Sequence, residues 1–182
     1  PSYAGRLMED EISALAKIFD HPEHPVTAIV AGSKISTKLA VLENLLDRID
    51  TLIVGGGIAN TFLKVMKLPI GASIFERDML NKTQAILKKA KLLNKTIFVP
   101  KDANLDPGSR IADIKDIESS DKIFDMGPES VVDIRKILEA SKTVIWNGPV
   151  GVFEISPYDE SSLEIARIIA VLTQKGSLYS VA

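Results

Sequence analysis

Two lysines, Lys34 and Lys38, stand four residues apart in the stretch Ala31-Gly32-Ser33-Lys34-Ile35-Ser36-Thr37-Lys38. An apolar run, Val26 to Ala31, leads into this stretch, and an amphipathic run beginning near Ile35 leaves it. The pattern predicts a strand, a short Gly/Ser turn and the first turn of a helix. On that reading the two lysines share one helical face. No acidic residue lies between Glu23 and Glu43 to neutralise them, and the free N–H groups of a helix start already carry partial positive charge. The chemistry that suits such a place is the binding of an anion, a phosphate first of all. The plainer alternative is a solvated lysine pair on a surface helix, and the local pattern leaves both open.

Two further stretches carry residues of the same kind. Gly55-Gly56-Gly57 closes an apolar run, Thr51 to Val54, and Asn147-Gly148-Pro149-Val150-Gly151 follows another, Thr143 to Trp146. Neither is a standard nucleotide fingerprint. No Gly-Lys-Ser/Thr triplet exists, which removes the P-loop. The Gly55 turn meets only the first part of G-x-G-x-x-G, because Asn60 holds the final glycine position. It reads equally as a strand-to-helix turn that needs positive φ or close packing. Trp146 is expected in the core at a strand end, with Asn147 just beyond it facing a cleft. Glu154 is either a surface carboxylate opening the last helix or an acceptor for ribose hydroxyls.

The elements that must position these residues alternate in type. Residues 5–20 place Met8, Ile12, Leu15 and Phe19 at helical spacing, and Pro22 and Pro25 end that helix. Strands are expected at 26–31, 51–54, 96–99, 123–126, 143–146 and 177–182. Helices are expected from about 35, over 58–66, 76–93, from Gly127-Pro128 onward, and over 156–174. The polar segment 101–122 shows no strong period and holds at most one short strand near 111–114. About six strand–helix alternations predict one α/β domain over residues 1–182, a doubly wound, mostly parallel, Rossmann-like three-layer sheet. Ligands of such sheets bind outside the carboxyl ends of the strands. The turns at Gly32, Gly55 and Asn147 all belong to that edge.

Composition narrows the function classes. The chain has 182 residues, 46% of them hydrophobic and 25% charged, with a net charge of -2. This balance gives no support for nucleic-acid or membrane-surface binding. There is no cysteine and there are only two histidines, so a thiolate or histidine-rich metal site is not expected. No apolar run approaches the roughly 20 residues that span a bilayer, and residues 1–3 show no basic signal-peptide start. A cytoplasmic protein is the expectation.

Three motifs together carry a family resemblance. Gly32-Ser33-Lys34-Ile35-Ser36-Thr37-Lys38, Gly55-Gly56-Gly57-Ile58-Ala59-Asn60-Thr61-Phe62 and Trp146-Asn147-Gly148-Pro149-Val150-Gly151-Val152-Phe153-Glu154 resemble phosphoglycerate kinase. Asp125-Met126-Gly127-Pro128 is similar to another landmark of that family. The resemblance covers the whole chain and most of the family's C-terminal, nucleotide-binding domain. It implies reversible phosphoryl transfer between 1,3-bisphosphoglycerate and ADP, giving 3-phosphoglycerate and ATP. It further implies that Lys38 follows the transferred phosphoryl group as the catalytic lysine and that Lys34 contacts nucleotide phosphates. Ser33 and Gly57 would line the nucleotide through their backbone, Asn147 would sit near the phosphates, and Pro149 and Val152 near the adenosine. Glu154 would hold the ribose, and Ile74 and Phe124 would flank the adenine.

The chain also departs from the family's pattern. Ser33, Thr37 and Ile123 stand where many members have Ala, Asp and Gly, and the loop 104–109 is several residues short. The aspartate that helps bind the nucleotide's magnesium is expected beyond the end of this chain, so no metal ligand is assigned within it. The domain that binds phosphoglycerate is expected before its start, with residues 1–20 near the hinge. The resemblance implies a monomer, Mg–ATP or Mg–ADP as the ligand, and a fragment inactive by itself. Two alternatives remain, a non-catalytic nucleotide-binding module and an NAD-dependent oxidoreductase domain using the Gly55 turn.

Overall fold

A computed structural model describes residues 22–181. The helix expected over 5–20 lies outside them. Among the described residues, eight strands and five α-helices follow in chain order. The strands are β1 (Val26–Ala31), β2 (Thr51–Gly55), β3 (Thr96–Phe98), β4 (Asp102–Asp106), β5 (Arg110–Asp113), β6 (Lys122–Met126), β7 (Thr143–Asn147) and β8 (Tyr179–Val181). The helices are α1 (Leu39–Leu45), α2 (Gly56–Val65), α3 (Leu80–Leu92), α4 (Pro128–Ala140) and α5 (Glu160–Gln174).

Five strands form one sheet in the order β3-β2-β1-β7-β8, and every pairing in it is parallel. β1 is buried along its whole length, as an apolar strand covered on both faces must be. Its side chains alternate between two cores. Ala28 and Val30, with Leu52 and Val54 of β2, pack with Leu42 of α1, Ile58 and Phe62 of α2 and Ile86 of α3. Ile29 and Ala31, with Ile53 and Val144, pack with Ile134 and Leu138 of α4 and Ile165 and Ile168 of α5. The result is a three-layer α/β fold with a mostly parallel central sheet. Strand order reverses between β1 and β7, so the turns leaving these two neighbours diverge and open a crevice.

The polar segment differs from its sequence reading. It holds two strands, not one, and with β6 they form a separate antiparallel sheet in the order β5-β4-β6. The strand at 122–126 therefore belongs to this second sheet. β4 escaped notice because its inward residues include Asp102 and Asn104, both 5% exposed, which breaks the apolar alternation. Asp102 is buried for a reason. Its carboxylate accepts hydrogen bonds from the N–H groups of Glu129 (2.9 Å) and Ser130 (2.8 Å) in the first turn of α4. The Ser130 hydroxyl in turn accepts from the N–H of Lys101 at 3.0 Å. A strand of the second sheet thus caps a helix of the first, with its charge matched to the helix dipole.

Three helix starts also shift. α1 begins at Leu39, α3 at Leu80 after a short 3-10 turn (Arg77–Met79), and α5 at Glu160. Before α5, Ile155 N–H bonds to Val152 O and Tyr158 N–H to Ile155 O, which commits 152–158 to turns.

Asp102→Ala is expected to lower unfolding free energy by about 1–3 kcal/mol, the usual cost of orphaning buried donors. Urea denaturation measures it, and stability unchanged within about 0.5 kcal/mol would contradict the role of Asp102 as a cap.

Candidate functional site

Three turns meet at the carboxyl edge of the large sheet, and backbone hydrogen bonds tie them together. Gly32 O accepts from Ile58 N–H at 3.1 Å, and Val150 O accepts from Gly56 N–H at 2.9 Å. Val152 N–H donates to Phe124 O at 2.8 Å, which brings β6 of the second sheet into the same wall. Such approach leaves no room for side chains at two glycines. A Cβ on Gly57 would lie 2.3 Å from Ser33 O, and one on Gly148 (φ +86°) 2.5 Å from Ala31 O.

Between the turns lies a cavity of about 540 Å³. Seven of the ten residues singled out from the sequence line it: Ser33, Gly57, Ile74, Phe124, Pro149, Val152 and Glu154. Ile74 is 62% exposed, an apolar side chain standing open at the cavity wall. The Phe124 ring is held edge-on by Tyr158, with centroids 5.0 Å apart. A cavity of about 640 Å³ lies elsewhere, between α4 and α5. Its larger size does not favour it, because Arg135 and Arg167 at that cavity are paired with Glu164 and none of the glycine turns after β1, β2 and β7 lines it.

Lys38, Asn147 and Lys34 do not line the cavity, and the first two form a pair at the crevice between β1 and β7. Lys38 Nζ donates to Ala31 O (2.7 Å), to Asn147 O (3.2 Å) and to Asn147 Oδ1. All three acceptors are neutral, so the ammonium charge is oriented without being cancelled. Burial lowers its pKa. The expectation that Lys34 and Lys38 share a helical face is corrected. Ser36–Lys38 form a single turn closed by Lys38 N–H to Ile35 O at 2.9 Å, and the helix starts only at Leu39.

The counter-charge missing from the local sequence comes from 40 residues away. Glu76 accepts from the Ser36 N–H (2.8 Å) and the Ser36 hydroxyl (2.6 Å). Partial burial pushes its carboxyl upward, but these bonds, one from Ile35 N–H and the charge of Lys34 hold it below the ordinary value. Glu76 therefore clamps the lysine turn to the loop that carries Ile74. No local signal marked it, because the contact is long-range.

Asp125 is the second residue whose part the sequence did not show. It is 2% exposed, and its carboxylate accepts from Met126 N–H (2.9 Å) and Ser161 N–H (3.0 Å). Its Oδ1 lies under Gly151, so it supports both the loop 147–154 and the first turn of α5. Trp146 is half-buried against the core of α4 and α5, and its Nε1–H donates to Gly148 O at 2.7 Å. Among the described residues, no group of three or more histidine, aspartate and glutamate side chains could hold a metal ion, and no helix is long and apolar enough to cross a membrane.

A parallel sheet with a cleft at its switch point, glycine turns at the rim and an uncancelled lysine beside it define an α/β protein of the doubly wound class. A family model described as phosphoglycerate kinase matches residues 1–182, and the chain belongs to that family. The phosphoglycerate kinase of Xanthobacter flavus is 43% identical over 188 aligned positions, covering all of this chain and 47% of that protein. That of Zymomonas mobilis is 40% identical, with the same two shares. Among solved structures, the enzyme from Coxiella burnetii aligns with a TM-score of 0.88 and 34% identity, over 98% of this chain and 52% of that one. The enzyme from Pyrococcus horikoshii aligns at 0.80 and 26%, over 91% and 44%. The chain spans about half the length of the curated relatives it matches. With the family shown, the oxidoreductase alternative falls.

Burial pushes the Asp125 pKa up to about 7, against the lowering pull of Ser161 and Met126. An acid whose native pKa exceeds its unfolded value keeps its proton longer when folded, so its contribution is full below about pH 4 and is lost as pH rises toward 7. Stability should therefore fall across that window by up to about 4 kcal/mol, and Asp125→Asn should flatten this component. Urea titrations at stepped pH test it, and identical profiles for both proteins would contradict it.

Proposed function

We propose that this chain forms the nucleotide half of a phosphoglycerate kinase. It binds ADP or ATP in the 540 Å³ cavity and serves reversible phosphoryl transfer with 1,3-bisphosphoglycerate. In the forward direction a terminal phosphate oxygen of ADP attacks the acyl phosphate, the bond from phosphorus to the acyl oxygen breaks, and 3-phosphoglycerate leaves as a carboxylate. The observation that carries this reading is Lys38, held at the β1/β7 switch point by three neutral oxygens.

The geometry supports a role for each residue. Ile74, Phe124, Pro149 and Val152 offer apolar contact to an adenine and its sugar, and Glu154 offers a carboxylate to ribose hydroxyls. Ser33 and Gly57 permit close backbone approach. On this reading the ammonium of Lys38 meets the charge that develops on the transferring phosphoryl group, and Lys34, earlier in the same turn, contacts the nucleotide phosphates. Transfer of this kind is accelerated chiefly by positioning and electrostatic stabilisation. Lys38 also trades hydrogen bonds with carbonyl oxygens for hydrogen bonds with phosphate oxygens, so little reorganisation is needed.

Magnesium accompanying the nucleotide would supply further charge neutralisation, but the described residues provide no ligand cluster for it, and the roles assigned to this chain run through its lysines and its cavity. Phosphoglycerate is assigned to a second domain, brought near by hinge closure that excludes water. The chain is accordingly read as a cytoplasmic, monomeric kinase's nucleotide site, binding ADP or ATP weakly and transferring nothing by itself.

In a complete phosphoglycerate kinase carrying this sequence, Lys38→Ala should lower kcat by at least about 100-fold, with a smaller change in the KM for ADP. A coupled assay measures both. Near-normal turnover in that variant, or turnover by the 182-residue chain alone, would overturn the assignment.

A further inference from the structure

Asn60 sits in the second turn of α2 and lines the cavity, yet it is only 1% exposed. Its amide Nδ2 donates to Ile74 O at 3.0 Å. Its Oδ1 is the one buried side-chain polar atom among the described residues that has no hydrogen-bond partner. Rotating the amide does not relieve this, because Oδ1 would then oppose the Ile74 carbonyl, and two acceptors repel. Ile74 O thus fixes the amide, and the free group of Asn60 is an acceptor and not a donor.

A buried acceptor without a donor is unfavourable, and such groups in folded proteins call for an explanation. The neighbouring residues do not provide the donor. Ser73, also at the cavity wall, uses its oxygen to accept from Ile123 N–H at 2.8 Å. The Thr61 hydroxyl donates to Gly57 O at 3.0 Å. Ile74, Ile123 and Phe124, which line the same cavity, have apolar side chains.

We propose that Asn60 reads the base of the bound nucleotide, its Oδ1 accepting a hydrogen bond from an amino group on the base edge. The inference rests on the nucleotide reading of this cavity and sharpens it to a substrate class. A 6-aminopurine presents an N–H donor at that edge, whereas a 6-oxopurine presents a second acceptor. The site therefore favours adenine nucleotides over those of hypoxanthine, and does so by leaving the wrong base with two opposed oxygens. Asn60 is a specificity-determining residue on this account, separate from its structural tie to Ile74.

The test is calorimetric titration of the 182-residue chain with ADP, with IDP, and with the diphosphate of unsubstituted purine riboside. ADP should bind roughly tenfold more tightly than IDP, the size of one net hydrogen bond, with the unsubstituted purine between them. In Asn60→Leu the ADP-to-IDP ratio should collapse toward one, mainly through weaker ADP binding. A merely structural role for Asn60 would weaken all three ligands together and leave the ratio intact, which would overturn the proposal. Should Asn60→Leu fail to fold by circular dichroism, the native protein still decides, since equal affinity for ADP and IDP overturns the role of Asn60. Absence of binding by every diphosphate is a different result, and it overturns the nucleotide reading and this inference with it.

Discussion

The closeness of three backbone turns at the carboxyl edge of the sheet is the constraint on which the rest of the molecule depends. Gly32 O meets Ile58 N–H, and Val150 O meets Gly56 N–H. Each contact satisfies a group that a strand end or helix start would otherwise leave open. The distances tolerate no Cβ at Gly57 or Gly148. The arrangement also needs β1, β2 and β7 to be adjacent and parallel, which the strand order provides. Fold and site are therefore one construction. The two cores on either side of the sheet hold the strand ends in register, and the strand ends bring the turns together.

The same constraint explains how a lysine can remain both ordered and chemically available. A lysine paired with a carboxylate has its charge largely spent, while a free one samples many rotamers. Lys38 avoids both outcomes, since Ala31 O and the two oxygens of Asn147 fix its direction and leave its net charge in place. The acidic partner in this region is directed to the backbone instead. Glu76 binds Ser36 and stands near Lys34, so it steadies the turn without reaching the Lys38 ammonium. It links the polar end of the cavity to the loop bearing Ile74, and Asn60 ties that loop to α2 from the other side.

What the sequence disclosed and withheld follows from contact range. The parallel sheet was legible because β1, β2 and β7 are short apolar runs, each followed at once by glycine, with helical periods between them. The seven residues around the cavity were legible through motif resemblance. Ile74 and Phe124 show no local sign of their place, because one lies in an irregular loop and the other in a strand of the second sheet. That second sheet was only partly visible, since β4 turns Asp102 and Asn104 inward. Asp102, Glu76 and Asp125 each act on backbone N–H groups at least 27 residues away, and no spacing rule detects such contacts. The exact start of α1 was hidden for the same reason. Glu76 and the turn ending at Lys38 hold residues 36–38 out of the helix.

The claim that joins these parts is that a nucleotide occupies the cavity between the three turns. An amide-resolved NMR titration of the isotope-labelled chain with ADP tests it most directly. The account predicts that the largest shifts map to Ser33, Gly57, Ile74, Phe124, Val152 and Glu154, with smaller ones at Lys38 and Asn147. Shifts centred instead on Arg135, Glu164 and Arg167, at the cavity between α4 and α5, would contradict it.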